Sequence, residues 1–108
     1  MPQRIAVEHN GLWFEWDEDK NRQNIEKHGL DFAEAQEMFR SLLLARPDVR
    51  EDYGENRWVA LGAIGGRIAV LVFAEGERNI IRVISLRKAN RGERKKYEKA
   101  VQDELEAR

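Results

Sequence analysis

WVALGAIGGRIAVLVFAEGERNIIRVIS, residues 58–85, decides the fold. Three runs rich in β-branched and aliphatic residues, Trp58 to Ile64, Arg67 to Ala74 and Asn79 to Ser85, are separated by Gly65-Gly66 and by Glu75-Gly76-Glu77. Short glycine-bearing connections of this kind join antiparallel neighbours, so the stretch predicts a meander. Upstream, Leu42 to Ala45 reads as a further buried strand ended by Pro47, and residues 48–56 as a polar loop.

Working outward, Leu12 to Trp16 has strand propensity and stops at Asp17, which is placed to cap a helix with Glu18 and Asp19 in its first turn. That helix runs to about His28, where Gly29 ends it. Asp31 and Glu34 have the spacing of a capping box and open a second helix, with Phe32, Ala35, Met38 and Phe39 at helical intervals. A last helix from about Asn90 to Glu106 carries Tyr97, Val101 and Leu105 on one face. The predicted order is β-α-α-β-β-β-β-α, an α+β domain of 108 residues with its core at about 12–106.

Composition narrows the function classes. The chain has no cysteine, which excludes disulfides and thiolate metal sites and suits a reducing cytoplasm. The first eleven residues hold no continuous apolar segment, so a secretory leader is not expected, and no run is long enough to span a membrane. The two histidines, His9 and His28, stand in no ligand spacing, and the glycines form no phosphate loop. No cofactor or metal is expected.

Charge is divided unevenly. Residues 1–56 hold seven basic and thirteen acidic groups, residues 57–108 twelve and seven, although the whole chain is only −1. Between Arg87 and Lys99 there are seven Lys or Arg against two Glu. Arg57, Arg67, Arg82, Arg87, Lys88, Arg91, Arg94 and Lys95 thus gather on and beside the meander, a distribution that suits a phosphate backbone. RNA brings its own nucleophile, the 2′-hydroxyl, so a protein need only align the attack, move protons and stabilise charge. Guanidinium groups do the last of these well. Proton transfer is open to His28, Glu93, Tyr97 or water.

Each candidate also has a purely structural reading. A strand arginine pairs across a sheet, His28 caps a helix through its dipole, Tyr97 belongs to an apolar stripe, and Arg91, Arg94 and Lys95 solvate a helix. Trp13, Trp16 and Trp58 can stack on bases but ordinarily build a core in so small a domain.

Six segments occur in one order: F-E-W-D-E-D-K at 14–20, N-x-x-K-H-G at 24–29, D-F-A-E-A at 31–35, E-N-R-W at 55–58, R-V-I-S-L-R-K-A at 82–89 and E-R-K-K-Y at 93–97. Together they resemble the BrnT family of bacterial toxins over about residues 12–100. The resemblance implies a RelE-like ribonuclease fold and metal-independent cleavage of RNA that limits translation. It also implies a BrnA-like antitoxin partner, in a complex with two copies of each protein, with operator DNA contacted only through the antitoxin. On that footing Arg57 and Arg82 are the expected phosphate-binding and transition-state residues, and His28 a possible acid or base. Lys27, Arg87, Lys88, Arg91, Arg94 and Lys95 are the expected RNA contacts. The alternative class is a non-catalytic RNA- or protein-binding module. Two departures stand out: Leu86 where the family more often has alanine, expected to alter packing under the last helix, and Asn56 where a second acidic residue is common, which leaves Glu55 as the nearer carboxylate.

Overall fold

A computed structural model describes residues 4–107, and the first described element is a strand that the sequence reading did not anticipate. Strand β1 (Arg4–His9) pairs antiparallel with β2 (Leu12–Asp17) through Asn10 and Gly11, which have φ of 52° and 84°. Two consecutive positive φ values define the tight hairpin turn for which Asn-Gly is the favoured dipeptide. Ile5 and Val7 pack against the core, so the folded unit begins before residue 12.

Helix α1 (Glu18–His28) follows at once, its N-terminus capped by the Asp17 carboxylate on the amides of Asp19 and Lys20, its C-terminus by Gly29 at φ 73°. The second helix is shorter than its apolar spacing predicts. A 3-10 turn (Phe32–Glu34), opened by the Asp31–Glu34 capping box, leads into a single turn of α2 (Ala35–Met38). Then come β3 (Leu44–Pro47), β4 (Arg57–Ile64), β5 (Arg67–Glu75), β6 (Ile80–Lys88) and α3 (Arg91–Glu106). Strand β3 lies at the sheet edge and is largely exposed; the edge tolerates Pro47, and the buried strand expected at 42–45 is displaced by two residues.

The six strands form one mostly antiparallel sheet in the order β1-β2-β6-β5-β4-β3, with only β2 and β6 parallel. The α+β class and the meander expected over 58–85 are both present. On one face, here the helical face, α1, the 3-10 turn and α2 bury Phe14, Phe32, Met38, Leu71 and Leu86 almost completely. Gly62 permits this close approach, because a Cβ there would lie 3.0 Å from the Met38 methyl. Part of the other face is covered by α3, whose Tyr97 and Val101 pack on Leu61 and Val70. Tyr97 donates its hydroxyl to the Leu42 carbonyl at 2.7 Å, which fits the core reading of that residue. Leu86 belongs to the helical-face cluster, not to the one under α3. Its expected effect on the last helix is corrected: the extra bulk packs beneath α1.

Candidate active site

The remainder of the second face is open, and a register shift decides what stands on it. Val72 pairs with Ser85 but Phe73 pairs with Val83, so Ile84 is the extra residue of a β-bulge. Strict alternation from the buried Leu86 would turn Arg82 inward. The bulge puts Val83 and Leu86 together in the core and sends Arg82 and Ser85 to the open face. Arg82 then lies in a cross-strand row with Ala74 and Arg57. Two strand spacings separate the arginine backbones, roughly 10 Å. The alanine between them has no bulk to keep their long side chains apart.

Those side chains converge on one carboxylate. Glu55, just before β4, accepts from Arg57 Nε at 2.9 Å and from Arg82 Nη2, both on Oε2. The Arg57 guanidinium carbon also sits 3.9 Å from the centre of the Tyr53 ring, a cation–π contact that fixes its plane. The Arg57 hydrogen bond, helped by the charges of Arg82 and Arg57, holds the Glu55 carboxyl below the usual glutamate value despite partial burial. Beside the pair is a cleft of about 160 Å³ lined by Arg4, Lys20, Arg57 and Arg82, with Asp17 the one acidic side chain. The Asp17 carboxylate is engaged in capping α1 and Arg4 pairs with Glu15 at 3.2 Å. Four cations around a small opening make a natural seat for a phosphate group.

Further along the open face, Arg46, Arg50, Ser85 and Arg87 border a second cleft of about 180 Å³. Arg87 is held by a two-pronged bond to Glu93, 2.9 Å on each arm, and Arg50 by Asp48, 2.7 Å on each. The Arg87 bonds, with the Asn90 amide, pull Glu93 from 4.5 to about 2, and Arg50 draws Asp48 from 3.8 to about 2. Trp13 departs from the core expectation. It is 47% exposed on the open face, two residues along β2 from Glu15, whose register partner is Arg82.

The expected site residues therefore separate into groups. Arg57 and Arg82 come together, and Arg87 stands on the same face. Lys88, Arg91, Arg94 and Lys95 line a different groove on the far side of α3. Lys27 and His28 occupy the last turn of α1, on the helical face, and are not brought to the arginine pair. Of the other proton-transfer candidates, Glu93 is bound to Arg87 and Tyr97 is buried. The sequence reading gave Glu55 no role beyond that of the nearer carboxylate, and it passed over Tyr53. The signal for Glu55 was the E-x-R spacing, which leaves the carboxylate within reach of Arg57. Among the described residues, no three His, Asp or Glu side chains are grouped to hold a metal ion, and no helix is long and apolar enough to cross a membrane.

The chain was compared with known proteins. No curated protein matches it. Among solved structures, the 1.1 Å crystal structure of the Brucella abortus ribonuclease toxin BrnT superposes with a TM-score of 0.55 at 36% identity, covering 70% of this chain and 94% of that one. The family model for BrnT, the ribonuclease toxin of a type II toxin–antitoxin system, matches residues 16–93. That span contains α1, the meander, Glu55 and both converging arginines, and with it the chain belongs to the BrnT family of ribonuclease toxins of type II toxin–antitoxin systems.

Proposed function

We propose that this toxin cuts RNA at the Arg57–Arg82 pair by metal-independent transphosphorylation. The observation that carries the reading is the convergence of two strand arginines on one carboxylate oxygen beside a cation-lined cleft. A scissile phosphate entering there takes the guanidinium donors from Glu55, whose carboxyl then loses the contacts that depress it and becomes a better base. The RNA 2′-oxygen attacks the adjacent phosphorus while its proton passes to Glu55 Oε1, the oxygen neither arginine occupies. The P–O5′ bond breaks, leaving a 2′,3′-cyclic phosphate and a 5′-hydroxyl whose proton comes from solvent at the open cleft. Arg57 and Arg82 hold the charge that accumulates on the non-bridging oxygens.

Arg87 contacts the backbone on the same face, and the exposed Trp13 ring offers a stacking plane to a neighbouring base. His28 and Lys27 fall outside this reaction. The sheet, with its four-strand meander and α3 packed across it, is of RelE-like type. The neutralising partner is a BrnA-like antitoxin in a complex with two copies of each protein, operator DNA being contacted through the antitoxin, and the setting is the cytoplasm. These last points rest on family membership. Incubation of purified toxin with RNA in excess EDTA tests the chemistry: cleavage with cyclic-phosphate ends is expected, and intact RNA would refute metal independence.

A further inference from the structure

We infer that the groove between α3 and the far end of the sheet is a second RNA-backbone site, distinct from the cleavage cleft, that makes the toxin favour long RNA. The inference takes from the reading above only that RNA is the substrate. The groove encloses about 730 Å³ and is bordered by Arg67, Lys88, Arg91, Arg94 and Lys95, with Glu98 the single acidic residue. All five cations are exposed, and none makes an ion pair among the described residues. At the cleavage end, by contrast, Arg57, Arg82, Arg87 and Arg50 are each held by a carboxylate. Five unpaired cations around one open groove, in a chain of net charge −1, are a concentrated deposit of uncompensated charge.

The arrangement fits a phosphodiester chain better than a protein segment. Ile68 and Ala89 are its only apolar side chains and it has no aromatic one, whereas the centre of a protein interface is enriched in aromatic residues and depleted of charge. Arg91, Arg94, Lys95 and Glu98 lie along one side of α3, while Glu93 and Lys96 lie on the side facing the clefts near Arg87. The helix therefore separates the two sites. Lys88 stands six positions beyond Arg82 on β6, roughly 20 Å of extended chain. A single RNA strand reaches both only if it runs several nucleotides beyond the cut, and a dinucleotide cannot.

The test compares wild type with Arg91→Glu/Arg94→Glu/Lys95→Glu, with thermal melting as the fold control. Binding is read on a long single-stranded 2′-O-methyl oligonucleotide, which cannot be cut, so the result does not depend on cleavage. Cleavage is read on an ordinary RNA dinucleotide. Affinity for the long strand should fall about tenfold or more, and the slope of log K against log salt by about 2, from three lost phosphate contacts. Dinucleotide cleavage should be unchanged. Unaltered affinity and salt slope would overturn the inference, as would an equal loss on the dinucleotide. So would a variant that binds RNA normally but escapes neutralisation by the antitoxin, which would assign the groove to an acidic protein segment.

Discussion

Arg57 and Arg82, on strands two apart, donate to the same oxygen of Glu55. In the proposed reaction that carboxylate is both the base and a competitor of the phosphate for the two arginines. These two effects act on different kinetic constants. Proton abstraction speeds the chemical step, whereas competition weakens substrate binding.

Glu55→Ala should therefore bind RNA more tightly and cut it more slowly. The expected loss in single-turnover rate is about tenfold to a thousandfold, from removing the base. Affinity for 2′-O-methyl RNA and cleavage under saturating enzyme are the two readouts. If affinity and rate fell together, Glu55 would be a support of the fold rather than a competitor for the arginines.

Trp13→Ala separates stacking from packing. The ring is nearly half exposed, so melting should stay close to wild type, while RNA binding should weaken by ~1–3 kcal/mol if one base stacks on it. Unchanged affinity would leave Trp13 as a surface aromatic without a role in RNA capture.

The meander, the caps at Asp17, Gly29 and Asp31, and the apolar stripe of α3 were legible because each depends on local chemistry. The N-x-x-K-H-G segment was legible as a pattern but not in meaning. Asn24 is buried and its amide donates to the carbonyls of Leu30 and Leu86 at 2.9 and 2.8 Å, tying α1 to β6. Its carbonyl oxygen accepts from the Leu86 amide, so the invisible part was a partner 62 residues away. The histidine in the same segment drew the catalytic expectation, yet it lies across the sheet from Arg82.

Strand β1 carried a readable signal in Asn10-Gly11 before an aromatic strand, and the expectation of a core starting at residue 12 overlooked it. The orientation of Arg82 carried no such signal. It depends on a bulge at Ile84, which only pairing with β5 reveals. The second partner of Glu55 was hidden for a similar reason: its contact with Arg82 joins a loop to a strand 27 residues on.

The Glu93–Arg87 bond predicts an acid dependence. Glu93 titrates at about 2 when folded against an ordinary value of 4.5, so its contribution to stability is complete above about 4.5 and disappears as pH falls through 2. Glu93→Gln should melt below wild type at neutral pH, and the gap should close steadily on acidification. A gap that stays constant across that window would mean the charge contributes nothing.

We propose that Arg57 and Arg82 form the phosphate-binding centre of the ribonuclease. Single-turnover cleavage of RNA by purified Arg57→Ala and Arg82→Ala, beside their melting curves, tests it most directly. The side chains are 24% and 35% exposed, so each melting point should stay near that of wild type, within ~1 kcal/mol of stability. Each variant should cut about a hundredfold to a thousandfold more slowly. Cleavage at the wild-type rate by both variants would contradict the account.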